Sequence, residues 1–213
     1  MTVLKKILIA DDHAIVRAGL RQILTETVDL VAADEAGNGL EVLGKIRDDG
    51  YDLVLLDITM PGRSGLEILK DIKTLEPKLP VLILSIHREE IYALRALRAG
   101  ASGYLTKDSA PDELVAAIRK ILLGKKYISS ALAEDLIFKL GEEVDRPLHE
   151  DLSNRELQIL CLLASGKRVV EIADELSLSA KTISTYRIRI LKKLNLKSNA
   201  ELTRYALKNC LVE

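Results

Sequence analysis

Leu53-Val54-Leu55-Leu56-Asp57-Ile58-Thr59-Met60-Pro61-Gly62 is the stretch that decides the fold. Four apolar residues run into a carboxylate, and the chain then breaks at Pro61-Gly62, the pattern of a buried strand whose last side chain leaves the sheet. A second run, Ile7-Leu8-Ile9-Ala10, ends likewise in Asp11-Asp12. In open α/β sheets ligands sit in the crevice beyond the carboxyl ends of the strands, so acids placed there are candidates for chemistry. If the two strands are parallel neighbours, three carboxylates converge. Such a cluster is costly unless a cation or protons neutralise it, and oxygen donors favour a hard ion such as Mg²⁺.

Outward from that stretch, strand-like runs alternate with helical patterns. Ala14 to Thr25 carries Ile15, Leu20, Ile23 and Leu24 on one expected stripe, and the extended run Val31-Ala32-Ala33 follows. Leu40, Val42, Leu43 and Ile46 fit a helix before the Asp57 strand, and Leu66, Ile68, Leu69, Ile72 and Leu75 fit another after it, stopped by Pro77 and Pro80. Val81 to Leu84 reads as the fourth strand, Glu89 to Ala99 as a helix, Ser102 to Thr106 as the fifth strand, and Ser109 to Leu123 as a helix with Pro111 in its first turn. Five βα units predict an α/β domain with a doubly wound, five-stranded parallel sheet. Gly39 to Lys45 has the spacing of a phosphate-cradling loop, but Ile46 replaces the metal-binding hydroxyl and the apolar residues keep helical periodicity; it is a decoy.

Each strand end delivers a polar residue: Asp11 and Asp12, Asp57, Ser85, and Lys107. Alone, Asp57 reads as a turn former or cap. Together these groups are what transfer of a phosphoryl group onto a carboxylate needs. Asp57 would be the nucleophile, Lys107 and a divalent ion would hold charge on the equatorial oxygens, and Ser85 would donate to one of them. His13 and His87 read as local packing or capping residues, without a second ligand for a metal such as zinc.

Composition narrows the class. A chain of 213 residues with 48% hydrophobic content can bury a sizeable core, and no apolar stretch reaches the length of a membrane span. Met1 to Lys6 lacks the apolar run of a secretion signal, so a cytoplasmic protein is expected. Cys161 and Cys210 have no metal-like spacing and read as core thiols. The net charge of −1 hides an asymmetry: residues 1–149 carry −4 and residues 150–213 carry +3. A locally basic carboxyl-terminal segment suits a polyanion.

The pattern changes after Leu123. Residues 1–124 form the expected α/β domain, and residues 125–149 a linker with a helix over 129–140 followed by a polar run, Gly141 to Pro147. Residues 150–213 read as all helical. Ser153-Asn154-Arg155-Glu156 is a capping box opening a helix with Leu157, Ile159, Leu160, Leu162 and Leu163 that ends near Gly166. Val169 to Leu176 is a short helix, Ser177 to Ser179 a turn, and Lys181 to Leu194 a longer helix capped by Ser179. Its expected buried side holds Ile183, Ile190 and Leu194; Lys181, Ser184, Thr185, Ile188 and Lys192 share the other, with Arg187 and Arg189 at the margins. Short helix, tight turn and basic helix is the helix-turn-helix arrangement, whose second helix enters the major groove of DNA. Lys181, Arg189 and Lys192 suit phosphates, Ser184, Thr185 and Arg187 suit base edges, and Ile188 suits a thymine methyl; Thr182 completes the expected DNA-binding set. Glu201 is the one acid between Leu176 and Leu211.

About the first 120 residues resemble the receiver domain of bacterial response regulators, a flavodoxin-like fold, on Asp11, Asp12, Asp57, Ser85, Tyr104 and Lys107. The resemblance implies that Asp57 accepts a phosphoryl group from a sensor histidine kinase. It implies that Asp12 ligates Mg²⁺ directly, Asp11 mainly through water, with Asp57 and the backbone carbonyl of Thr59 as further ligands. Ser85 and Tyr104 are the implied switch pair, the hydroxyl moving to the phosphoryl oxygen and the ring swinging inward behind it. Lys107 precedes Asp108, where many receivers have proline. Residues 150–213 look like the LuxR-type domain of the NarL/FixJ response regulators, through Leu152 to Glu156, Glu171-Ile172-Ala173, Leu178-Ser179, Lys181-Thr182-Ile183 and Lys193-Leu194. Arg168-Val169-Val170, Ser184 and Tyr186 depart from that pattern. Ala200 to Lys208 resembles its dimerisation helix. The chain is thus expected to be a homodimeric transcription regulator on promoter DNA, with RNA polymerase as a further partner, no membrane, and no turnover of an external substrate. A phosphatase of the haloacid dehalogenase type is the enzymatic rival, but it needs a second acid where Thr59 stands.

Overall fold

The structure is a computed structural model that describes residues 4–48, 50–86, 89–129, 133 and 147–212. The chain forms two compact units, Met1–Glu142 and Glu143–Glu213. In the first, five strands, β1 (Lys5–Ala10), β2 (Leu30–Ala36), β3 (Leu53–Asp57), β4 (Val81–Ser85) and β5 (Gly103–Thr106), alternate with α1 (Ala14–Thr25), α2 (Gly39–Asp48), α3 (Gly65–Leu75), α4 (Glu89–Arg98) and α5 (Pro111–Leu122). The sheet is all parallel in the order β2-β1-β3-β4-β5. The order reverses at β1, and β1 and β3 are neighbours there, so Asp11 and Asp57 emerge side by side. The decoy segment Gly39 to Lys45 lies in α2.

Both faces of the sheet are covered, which is why β3 and β4 read as unbroken apolar runs. Ile7, Ile9, Leu53, Leu55, Leu82, Leu84 and Leu105 pack with Leu20 and Leu24 of α1 and Leu114, Ile118 and Ile121 of α5. The alternate residues Leu8, Val54, Leu56 and Ile83 are equally buried and point to the opposite face. Burying each such side chain stabilises the fold by about 1.5–3 kcal/mol.

Two expected stripe residues fall outside this core. Ile15 is 84% exposed and Leu40 81% exposed. In α1 the stripe that meets the sheet runs through Val16, Leu20, Ile23 and Leu24, which turns Ile15 one residue away from it. In α2 Val42 and Ile46 are buried, and Leu40 stands on the solvent side of the first turn. Leu75, at the last turn of α3, is partly exposed as well. The helix expected over 129–140 falls, apart from Ser129 and Ala133, outside the described residues, and so does His87.

The second unit opens with a 3₁₀ turn (Leu148–Asp151) and continues as α6 (Asn154–Ala164), α7 (Val169–Glu175), α8 (Ala180–Lys193) and α9 (Asn199–Lys208). Ser153 and Glu156 close the expected capping box, and Ser179 Oγ accepts from Thr182 N–H at 3.0 Å to cap α8. Arg168, at the start of α7, has no acceptor to offer; Glu171 reaches back instead to its backbone N–H and guanidinium. All four helices end alike. Gly166, Ser177, Asn195 and Cys210 take positive φ, and the residue after each donates to a carbonyl five residues back, so the chain reverses within one turn. That turn corrects one expectation: Cys161 is buried, but Cys210, at the left-handed position after α9, points to solvent while Leu211 is tucked in.

Gly65 begins α3, between the two residues of a capping box, Ser64 at the N-cap and Glu67 at N3. Its N–H donates to the Ile58 carbonyl at 2.8 Å, and a Cβ there would lie 2.0 Å from the Asp57 carbonyl oxygen. The contact is backbone on backbone, so a side chain displaces the end of β3 itself. Gly65→Ala is therefore expected to destabilise the first unit by about 1–3 kcal/mol and to weaken any chemistry at Asp57. Denaturant unfolding checks this; an unchanged midpoint contradicts the close approach.

Candidate functional site: an acidic crevice and a basic helix

The crevice is built from the carboxyl ends of β1, β3, β4 and β5. Asp57 closes β3 and pairs in register with Leu84; Ser85, one residue further, pairs with Thr106, and Lys107 follows directly. Register alone thus brings Asp57, Ser85 and Lys107 to one edge. Asp11 and Asp57 are almost wholly buried, at 1% and 2% exposure. Lys107 Nζ bridges them, 2.6 Å from Asp11 Oδ2 and 2.8 Å from Asp57 Oδ2. Thr59 N–H donates to Asp57 Oδ1 at 3.1 Å, and His13 N–H to Asp11 Oδ1 at 2.8 Å. Lys107 N–H in turn holds the Ser85 carbonyl at 2.8 Å, tying β5 to β4 beside the crevice. Ser85 and Tyr104 are both fully buried, so the Tyr104 ring lies inward.

Burial raises the Asp57 carboxyl to a pKa of about 6, against the pull of Lys107 and with help from Asp11. Burial alone would lower Lys107, but the Asp57 and Asp11 carboxylates outweigh it and hold the ammonium above its ordinary range. Three carboxylates against one ammonium leave negative charge in excess. Asp11, Asp12, His13 and Asp57 each offer a donor atom, and these lie within 4.8 Å of one another. Mostly oxygen donors, crowded and under-compensated, fit a hard divalent cation.

Two contributors have no strong sequence signal. His13 is the N-cap residue of α1 but its side chain makes no cap hydrogen bond; its Nδ1 lies 2.8 Å from Asp12 Oδ1 and 3.4 Å from Asp11 Oδ1, so the ring belongs to the acidic cluster rather than to local packing. Arg17 donates to the Asp11 carbonyl at 2.7 Å and to Glu35 at 3.0 Å, fixing the turn that presents the two aspartates. Its position one helical turn beyond His13 was the available clue. Every peptide bond among the described residues is trans, the one after Lys107 included.

On the second unit, α8 buries Ile183, Ile190, Leu191 and Leu194 and exposes Lys181, Ser184, Thr185, Ile188, Arg189 and Lys192; Ile188 is 63% exposed. Thr182 and Arg187 are half-buried. Arg187 Nε donates to Asn199 Oδ1 of α9 at 2.6 Å, Arg189 lies 5.9 Å from the centre of the Tyr186 ring, and Thr185 Oγ1 donates back to the Lys181 carbonyl. Lys193, on the inner margin, pairs with the buried Glu156 and anchors α8 to the start of α6. Short α7, tight turn and basic α8 form the expected helix-turn-helix.

The family model "Response regulator receiver domain" matches residues 7–119, more than half of the chain. The chain belongs to the response regulators. A second model, "Bacterial regulatory proteins, luxR family", matches residues 150–206 and places it with the NarL/FixJ type. The chain is 37% identical over 206 residues to response regulator UvrY of Escherichia coli, covering 96% of this chain and 94% of that one. It is 37% identical over 208 residues to response regulator GacA of Pseudomonas protegens, covering 98% of each. Among solved structures it resembles RcsB of Salmonella enterica serovar Typhimurium bound to promoter rprA in the presence of the phosphomimetic BeF₃⁻, with TM-score 0.66 and 26% identity over 95% of this chain and 98% of that one. Another structure of RcsB holds two dimers on two parallel DNAs. A receiver joined to a LuxR-type domain makes this response regulator a phosphorylation-regulated, DNA-binding transcription factor. No helix among the described residues is long and apolar enough to cross a membrane.

The raised pKa gives a pH dependence. In metal-free protein the folded chain holds the Asp57 proton more tightly than the unfolded chain does. Stability from this group is full below pH about 4 and is lost as pH rises through about 6. Asp57→Asn removes the titration, so relative to the parent it should gain up to about 3 kcal/mol between those limits. Unfolding of both proteins in chelator across that range measures the gap; a gap that stays flat contradicts a buried, destabilised carboxylate.

Proposed function

We propose that Asp57 is the phosphoacceptor of this regulator. The observation that carries the reading is the Lys107 ammonium set between two buried carboxylates at the edge where Ser85 also ends its strand. In the transfer, an Asp57 carboxylate oxygen attacks phosphorus and the donor's bond to phosphorus breaks, giving an acyl phosphate. Lys107 is already within hydrogen-bond reach of the acceptor oxygen and follows the charge onto the phosphoryl oxygens; Ser85 donates to another of them. Asp11, Asp12, Asp57 and the Thr59 carbonyl hold Mg²⁺, which when bound supplies positive charge against those oxygens. Ser85 and Tyr104 form the switch: with the hydroxyl drawn to the phosphoryl group, the inward position of Tyr104 is favoured, and the acyl phosphate shifts the population toward it.

The donor is a sensor histidine kinase and the target double-stranded promoter DNA. Residues 1–124 are the receiver, 125–149 the linker and 150–213 the output domain. Lys181, Arg189 and Lys192 take phosphates; Ser184, Thr185 and Arg187 reach base edges, Ile188 meets a thymine methyl, and Thr182 completes the DNA-binding set. Paired helices on paired half-sites require a dimer, which the RcsB dimers on DNA support. RNA polymerase is the downstream partner, and the cytoplasm is the compartment. The phosphoryl group is accepted and slowly lost without turnover of an external substrate.

Labelling by acetyl phosphate tests the chemistry. Intact-protein mass spectrometry should show one added phosphoryl group per chain that requires Mg²⁺, disappears in Asp57→Asn, and falls at least about tenfold in rate in Lys107→Ala. Labelling that persists in Asp57→Asn contradicts the assignment.

A further inference from the structure

The edge of the sheet opposite Asp57 carries a cavity that plays no part in the site above. It lies where α3, α4 and α5 end and β4 and β5 begin, has a volume of about 450 Å³, and is lined by Lys73, Lys78, Arg98, Ser102, Lys125 and Lys126. Five cations line it, and no acid stands among its described lining residues.

A structural explanation exists for part of this charge. Carbonyl groups at the carboxyl ends of helices carry partial negative charge and attract lysines. Lys73 Nζ donates to the Leu79 carbonyl at 2.5 Å, and Lys126 Nζ to the Ala101 carbonyl. Lys78 and Lys125 make no such contact with a described residue, and both are exposed at the rim. No carboxylate among the described residues lies within ion-pair distance of Lys73, Lys78, Lys125 or Lys126. Elsewhere on the same unit cations meet acids: Lys5 with Asp52, Lys45 with Asp34, Arg63 with Asp71, Arg119 with Asp29. Inside the cavity the like charges act on one another. Burial first, and the Lys126 ammonium second, pull Lys73 below its ordinary range. Gly100, in the left-handed region at φ 103°, lets the Lys73 stem pass beneath it; a Cβ there would sit 3.1 Å from Lys73 Cγ. A concavity walled by one sign of charge concentrates counter-ions.

We propose that this cavity binds a compact oligophosphate, either an inorganic one or the phosphate chain of a nucleotide. The concavity, about 450 Å³ and open to solvent, has room for a short phosphate chain. Lys73 and Lys78 come from the end of α3 and Lys125 and Lys126 from beyond α5, so several anionic oxygens within one short chain can each find an ammonium. No aromatic residue stands among its described lining residues to stack a base, so the phosphates are what it reads. The proposal is independent of the phosphoacceptor assignment. A bound oligophosphate bridges the ends of α3, α4 and α5 and stabilises the first unit by mass action.

Titration of the ¹⁵N-labelled full chain with sodium tripolyphosphate tests it, in chelator so that no divalent ion is shared with Asp57. Saturable shifts are expected at the amides of Gly100, Ser102 and Gly124. The Lys78→Glu/Lys125→Glu double variant, which changes two exposed side chains, should bind at least about tenfold more weakly at these amides and unfold at an unchanged midpoint in the absence of ligand. Lys192→Ala, on the second unit, should leave the same shifts intact. ATP binding as tightly as tripolyphosphate supports recognition of the phosphate chain from either source; ATP binding more tightly supports a nucleotide. Absence of saturable shifts at these amides up to about 10 mM, undiminished binding in the double variant, or tighter binding of a tetraglutamate peptide overturns the proposal.

Discussion

Two buried carboxylates share one ammonium at the end of a parallel sheet, and the first unit is arranged to tolerate them. Asp11 and Asp57 sit at 1% and 2% exposure with Lys107 between them. Leaving buried charge unpaired costs about 3–5 kcal/mol, so Lys107 is as much a part of the fold as of the chemistry. The strand register delivers all three groups without a loop having to place them. Gly65 allows α3 to start against the carbonyl of Asp57, and Arg17 holds the turn that carries Asp11 and Asp12. The remaining negative charge suits the crevice to a hard cation, whose charge would offset both the carboxylates and an incoming phosphoryl group.

The sheet was legible because burial on both faces leaves an unmistakable mark: β3 and β4 contain no polar residue until Asp57 and Ser85. Helix faces were less legible. An apolar residue adjacent to a stripe fits a helical pattern nearly as well as one on it, which is why the periodicity of α1 and α2 includes Ile15 and Leu40 while the fold leaves them exposed. At the crevice, the acids, hydroxyl and lysine announce themselves as polar residues after apolar runs. His13 does not, since only the fold sets its ring against Asp12, and Gly65 does not, since one glycine among twelve carries no mark of what its missing Cβ would strike. Cys210 misled for a related reason: apolar neighbours in sequence do not bury a residue that takes the left-handed turn after a helix.

The output unit follows from capping and periodicity, and its helix ends share one solution, a left-handed residue that lets the next side chain fold back. On α8 the side chains are already partly committed. Arg187 is tied to Asn199, Arg189 lies over Tyr186, and Ser184, Thr185, Ile188 and Lys192 remain outward. Ser184 and Tyr186 depart from the LuxR-type pattern, so the DNA sequence read by relatives does not transfer to this chain. Communication between the units is a matter of differential affinity: a phosphoryl group at Asp57 changes DNA binding only to the extent that the DNA-competent arrangement favours the phosphorylated site.

The most direct measurement is selection of bound duplexes from a random DNA pool at fixed salt, with and without beryllofluoride and Mg²⁺, using the parent chain and Asp57→Asn. Phosphorylation-regulated recognition predicts enrichment of paired half-sites that strengthens with the mimic in the parent and not in Asp57→Asn. Enrichment of the same sites to the same degree in all four conditions would contradict a switch at Asp57.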